Sequence, residues 1–298
     1  MHSKPLYKAV AFCTTAFLFI GLSAQDDTTS SMLDEDPVKS EKVQNSFKTT
    51  KVINLQSVEV TDAGVFDFKI NHRFGPVNSG AYNMFGLDAA SVRIGGEYGV
   101  IPNLMVGAGR SSIEKTVDGY FKYRMMHQTS DNKKPLGILL FGGVAYRNVN
   151  FTFPVTSMER LAYTAQLILG RKFSENFSLV VSPSLVHYNL GKNEFSNTQY
   201  ALGLGMRQKL TKRTTLNLEY IPVFGEHGSY HNSISVGFDI ETGGHVFQLH
   251  FTNSTGNNES NFIARTDGDW KTGGVRFGFN ISRVFTFVDP SRFKNNSY

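Results

Sequence analysis

The chain has 298 residues, and its 25 Phe, 28 Gly and 12 Tyr against a single Trp favour one all-β domain over a mixed or helical one. A mean hydropathy of -0.22 excludes a bundle of membrane helices, and 40% apolar content excludes a mostly disordered chain. Of the 30 Lys and Arg, Lys4 and Lys8 fall in the leader, so 28 stand against 25 Asp and Glu; with no basic run anywhere, a nucleic-acid partner is excluded.

Residues 1–24 read as a secretory signal peptide. Lys4 and Lys8 precede an apolar run over 9–22, Leu22-Ser23-Ala24 offers a cleavage site, and Gln25-Asp26-Asp27 turns polar at once. Cys13, the only cysteine, lies inside that run. Cleavage after Ala24 therefore leaves no thiol for a disulfide, a Cys-ligated metal or a Cys nucleophile. Residues 25–50 are polar and acidic-leaning, with Asp34-Glu35-Asp36-Pro37 and no sustained periodicity. They read as a flexible periplasmic segment, either a solvated lead into the first strand or a docking arm for a periplasmic protein partner.

A period of two governs the rest. Phe66, Phe68, Ile70 and Phe74 alternate with Asp67, Lys69, Asn71 and Arg73, and the pattern returns at residues 91–98, 121–128, 160–169, 202–207, 216–220, 233–241, 247–251 and 275–282. Less regular segments at 104–112, 136–146 and 177–188 bring the count to about twelve strands of roughly 9 to 11 residues, long enough to cross a bilayer obliquely. Short connections at 100–103, 171–176, 210–213 and 241–244 alternate with long ones at 75–89, 147–158, 189–197, 222–230 and 253–270. Short turns on one rim and long loops on the other describe an all-β, antiparallel transmembrane β-barrel over 51–288, with both chain ends in the periplasm and a tail at 289–298. A soluble sandwich fits less well, because its strands commonly run only about 5 to 6 residues. Tyr98, Tyr120, Tyr146, Tyr188, Tyr200 and Tyr220 also gather near strand ends, as interfacial girdles do.

His72-Arg73-Phe74-Gly75, Phe85-Gly86-Leu87-Asp88, Arg93-Ile94-Gly95, Ser182-Pro183-Ser184 with Val186-His187, Gly244-His245-Val246-Phe247-Gln248 and Phe279-Asn280-Ile281-Ser282-Arg283-Val284-Phe285 occur in that order. Together they resemble a Bacteroidota family of exported β-barrel proteins known as a domain of unknown function, over roughly residues 52–287. The resemblance implies the outer membrane of a Gram-negative bacterium and supplies no substrate, cofactor or catalytic residue.

Chemistry-bearing residues are few. His72, His187, His227 and His231 fall near the long-loop rim on the strand scheme, where they are either metal or haem ligands or hydrogen-bonding rim side chains. Their spacing favours the second reading. His231 and Ser233 share a strand face, as a membrane-embedded hydrolase would need, but no third orienting residue accompanies them. Gly107-Ala108-Gly109 and Gly203-Leu204-Gly205 open no helix and are no phosphate loops; on lumen-facing positions they read as places where the backbone bends.

Alternation sends Lys69, Arg73, Arg93, Lys122, Arg124, Arg160, Arg207, Lys209 and Arg276 inward against Asp67, Glu97, Glu219, Asp239 and Glu241. The expected function is a narrow channel or transport conduit for a small solute, non-enzymatic and without a cofactor, with lipid around it. The basic surplus favours an anion. The alternatives are a closed structural or partner-binding barrel that scaffolds an exported redox or metal-delivery complex, and, with least support, an outer-membrane hydrolase.

Overall fold

The computed structural model describes residues 40–190, 196–226 and 228–296. The leader and His227 lie outside them. Thirteen strands make one antiparallel sheet: β1 (Val65–Pro76), β2 (Ala90–Ile101), β3 (Leu104–Ser111), β4 (Val117–Met126), β5 (Gly137–Tyr146), β6 (Leu161–Lys172), β7 (Phe177–Tyr188), β8 (Thr198–Lys209), β9 (Thr214–Ile221), β10 (Val223–Phe224), β11 (Ser233–Thr242), β12 (His245–Thr252) and β13 (Arg276–Thr286). β9 and β10 are one stave interrupted at Pro222. The proline cannot donate to the ladder, but its carbonyl still accepts from Leu202 at 3.0 Å, and both pieces pair with β8. The sheet is thus a closed barrel of twelve staves, sealed where β1 meets β13 with Ile70 opposite Ile281.

Burial follows the pleat. Along β1 buried and half-buried residues alternate without a break, and on other staves Ile94, Phe121, Leu140, Leu167, Leu218, Phe238 and Leu249 stand exposed on the outer face. An apolar outside with charged residues turned inward is the inverse of a water-soluble barrel, and it is the arrangement lipid requires.

Turn chemistry sets the two rims. Pro102-Asn103 joins β2 to β3 with Asn103 at φ 71°, and Gly243-Gly244 joins β11 to β12 with φ of 48° and 99°, the left-handed pair a tight hairpin demands. The opposite rim carries the connections 77–89, 147–160, 189–197, 225–232 and 253–275. Two connections break the alternation: 112–116 on the long-loop rim is short, and 127–136 on the turn rim is long. The second has a physical reason, since it grips the incoming N-terminal chain: Val43 N–H donates to the Gln128 carbonyl at 2.9 Å, and Ser130 N–H to that of Glu41 at 2.9 Å.

That chain then enters the barrel. Residues 46–47 and 50–58 are all buried, so the part of the expected flexible segment that reaches residue 50, and the first residues of the expected wall from 51 onward, form neither a tether nor a stave. The buried stretch closes a hairpin, with Ser57 N–H on the Thr50 carbonyl at 2.9 Å and Val52 N–H on that of Leu55 at 2.8 Å. From the other rim the 253–275 connection folds inward and carries a one-and-a-half-turn helix, α1 (Glu259–Ala264), every residue of which is buried. Past β13 the chain turns back across the barrel seam, where Phe287 and Val288 N–H groups donate to the Gly64 carbonyl at 2.9 and 3.0 Å.

Candidate functional site

The hairpin over 50–57 has an apolar and a polar side, and the lumen matches each. Phe47, Val52, Leu55 and Val58 join one core with Met105, Leu139, Phe141, Ile168, Val180 and Val186 from the β3 to β7 side of the wall. Glycines make the room. A Cβ at Gly203 would come within 2.4 Å of Leu55 Cδ1, and one at Gly170 within 2.3 Å of Val58 Cγ1. The small residues of β8 therefore accommodate an inner layer of protein, where the sequence suggested only a bend.

The polar side is pinned by the charged ladder. Glu219 Oε1, in a fully buried carboxylate, accepts the backbone N–H groups of Ile53, Asn54 and Leu55 at 2.6, 2.8 and 2.7 Å. Lys122 Nζ donates to the carbonyls of Thr50 and Ser57 at 2.8 and 3.1 Å and to Gln56 Oε1 at 3.1 Å. Arg73 reaches Asn54 Oδ1 and the Gly256 carbonyl, and Arg207 donates to the Ser46 carbonyl at 3.1 Å. Arg124 donates to the Val58 carbonyl at 2.7 Å and lies 3.6 Å from Glu59.

The remaining charges pair across the wall. Lys69 meets Glu97 at 2.7 Å and Asp67 at 3.4 Å, while Arg93 makes a two-pronged contact with Asp118 at 2.8 and 2.5 Å. Tyr120 donates to Glu97 at 2.7 Å. Both reaches cross β3 where Gly107 and Gly109 present no side chain: a Cβ would lie 2.3 Å from Tyr120 Cζ in the first case and 2.5 Å from Arg93 Cζ in the second. Asp239 accepts from Gln248 at 2.6 Å and Thr215 at 3.2 Å, and Arg276 pairs with Asp267 at 2.9 Å. Arg160 is a departure from the inward set, because it precedes β6 in the long loop, where its guanidinium donates to the Val149 carbonyl at 2.8 Å. The basic surplus expected to attract a solute anion is instead taken up largely by carbonyls of the inner hairpin.

The hairpin and the inward loop meet at Glu259. Lys51 Nζ lies 2.9 Å and Gln56 Nε2 2.7 Å from Glu259 Oε1. Burial pushes this carboxyl up, but the charges of Lys51 and Arg93 outweigh it and hold Glu259 below the ordinary glutamate value. Two cavities between these layers, about 20 Å³ beside Lys69 and Gln248 and about 10 Å³ beside Tyr120 and Glu259, are no larger than a water site. Above α1, open to the long-loop rim, a vestibule of about 600 Å³ is lined by Arg147, Phe151, Phe153, Tyr230, Asn261 and Arg265 among others.

The histidines among the described residues do not converge. His72 is in phase with Phe68 and Phe74 and stacks on Phe279 at 4.8 Å on the outer face, so its parity places it toward lipid. His187, likewise half-buried, shares a hydrogen bond of 2.8 Å with Thr198. His231 is exposed and bridges through its backbone to Thr266, and no hydrogen bond joins it to Ser233 among the described residues. No group of three potential metal ligands occurs among the described residues. Sequence reasoning passed over Lys51, Asp118, Glu259 and the whole 46–58 hairpin; it also gave no role to His250, which is 1% exposed beside Gly278.

A family model described as "Membrane bound beta barrel domain (DUF5777)" matches residues 47–285. Its start coincides with the buried hairpin, so the inner segment falls within the matched stretch. No curated protein matches the chain in sequence. Among solved structures, the NanC porin is 8% identical at a TM-score of 0.48, covering 75% of this chain and 99% of its own. The KdgM porin is 11% identical at 0.46, covering 74% and 99%. The outer membrane phospholipase A of Escherichia coli is 12% identical at 0.43, covering 73% and 89%.

Proposed function

We propose, for a chain that belongs to the membrane bound beta barrel domain family (DUF5777), a conduit for a small solute in the outer membrane of a Gram-negative bacterium, held shut by its own N-terminal segment. The leader at residues 1–24 directs export and is cleaved after Ala24. One observation carries the reading: among the described residues the lumen of the barrel is occupied from the turn rim by the buried residues 46–47 and 50–58 and from the loop rim by the buried helix α1. A lumen filled by a hairpin that continues into residues 41–43 has a direction of release, toward the turn rim where those residues lie.

A second reading, a permanently closed barrel that serves as a scaffold for a partner, is favoured by a different observation. Phe47, Val52, Leu55 and Val58 make an apolar core with the wall, and withdrawing them would expose that surface to water. Planar-bilayer conductance separates the two. On the conduit reading the native chain is silent, Glu219→Ala with Lys122→Ala opens it in bursts, and a disulfide between Asn54→Cys and Ser235→Cys suppresses the bursts until a reductant is added. Silence of the weakened variant would favour the scaffold. Steady current through the native chain would defeat both.

A further inference from the structure

The vestibule lies on the long-loop rim, beyond α1, and its lining carries a positive charge that no carboxylate of the described residues pairs with. Arg265, one turn after Asn261 on the end of α1, lies with its guanidinium 3.7 Å over the Tyr188 ring, and no carboxylate pairs with it among the described residues. Its Nε has no hydrogen-bond partner. Arg147 is 8% exposed, its Nε is also unpartnered, and its one carboxylate contact, Glu114 Oε1, stands at 3.5 Å. The other acid of the lining, Asp267, is already held by Arg276 at 2.9 Å and by Thr255 at 2.6 and 2.8 Å. Two buried or half-buried guanidiniums thus border one space, and among the described residues Glu114 is the one carboxylate that touches either of them.

We infer that this vestibule is a binding site for a small organic anion, a carboxylate carried on a ring body. The carboxylate is matched by Arg265 and Arg147, whose forked N–H groups suit a planar two-oxygen acceptor. The body is matched by Phe151 and Phe153, whose rings stand 5.7 Å apart at an angle, with the Arg147 guanidinium 5.3 Å from the Phe151 ring. A cavity of about 600 Å³ is the size of an ordinary small-molecule pocket. Burial, with the like charge of Arg265 next to it, holds the Arg147 guanidinium below its ordinary value, so an anion between the two relieves a repulsion already present. A cation would meet that repulsion unrelieved.

The site is complete on the closed barrel, so its test needs no current and fails independently of the conduit reading. Benzoate and its uncharged counterpart benzamide are titrated by calorimetry against the full barrel in nanodiscs. The expected result is benzoate binding at least tenfold tighter than benzamide, a preference abolished by Arg265→Gln and partly kept by Arg265→Lys. Phe153→Ala, at a residue 53% exposed and outside every strand, should weaken both probes together while leaving the preference. Equal binding of the two probes, no benzoate binding, or full benzoate binding by Arg265→Gln would each overturn the assignment.

Discussion

Glu219 gives the sharpest test of the inner hairpin, because one carboxylate oxygen on the wall satisfies three successive backbone donors at its tip. Replacing it by Ala leaves the N–H groups of Ile53, Asn54 and Leu55 unpaired in a site where Glu219 itself is 3% exposed. An orphaned buried donor costs about 1 to 3 kcal/mol. Three of them at the low end give about 3 kcal/mol, which is about a hundredfold in the opening equilibrium of the hairpin. Glu219→Gln keeps an acceptor oxygen without the charge, and since charge-assisted bonds are roughly twice as strong as neutral ones, about a tenfold change is expected for it. Hydrogen exchange by mass spectrometry in nanodiscs reads this directly, through protection of a peptide covering residues 50–58 against peptides from β6. The hairpin should lose protection in the order Ala, then Gln, with β6 unmoved. Unchanged hairpin protection in Glu219→Ala, or equal loss in β6, would refute the claim that this carboxylate holds the hairpin in place.

Other expectations follow from the same packing. Gly203→Val drives a side chain into Leu55 and should cost about 1 to 3 kcal/mol by overpacking, seen as faster exchange of residues 50–58 and, on the proposed conduit reading, as bursts of current above those of the native chain. On the lipid face, Leu167→Arg and Leu204→Arg, at residues 36% and 37% exposed, should each cost about 2 to 4 kcal/mol in refolding into vesicles if they lie near the bilayer midplane. In an open lumen Asn217→Arg would cost little by comparison, but Asn217 is 0% exposed and donates to the Val52 carbonyl at 3.3 Å, so it should also be destabilising; a neutral result there would mean the lumen is not filled. The Glu259 contact has a pH signature. Its carboxyl is depressed in the folded chain, so its contribution is fully present above the ordinary glutamate range and is lost as pH falls through the lower folded value. Exchange of residues 50–58 should therefore be insensitive to this group from pH 7 down to about 5 once intrinsic rates are removed and should rise below that range, and Lys51→Met should flatten the rise.

The wall was legible because lipid imposes a strict rule. Every backbone group must be paired inside the sheet and outward side chains are mostly apolar, so the two-residue period marks β1 residue by residue and marks β11 and β13 over residues 233–240 and 276–281. Inward charges such as Lys69, Arg93 and Glu97 could be assigned from the same period, yet their partners could not, since Arg93 reaches past β3 to Asp118 and no local pattern records a contact two staves away. The 46–58 hairpin was missed for a related reason. Its own sequence has no amphipathic period long enough to read, because its shape is dictated by the wall that surrounds it. His72 is a different case: it lies near the long-loop rim in sequence, but the parity of β1 sends it to the side of Phe68 and Phe74.

One signal of the inner layer was nevertheless present, in the strands where alternation is poorest. A barrel whose lumen holds water should keep polar residues on every inward position. β3, β5 and β7 do not: Met105, Leu139, Phe141, Val180 and Val186 are inward and apolar, which is why these segments look irregular beside β1. Such residues facing an aqueous lumen would forgo the free energy that burial supplies, about 1.5 to 3 kcal/mol for each large side chain, so a run of them on one side of the wall requires a covering layer. Phe47, Val52, Leu55 and Val58 are that layer, and the other side of the barrel, where inward positions are Lys69, Arg73, Glu97 and Glu219, receives the hairpin's polar atoms. In a membrane barrel, then, a defect in the inward half of the dyad carries as much information as the dyad itself: it marks the staves against which the chain has folded part of itself.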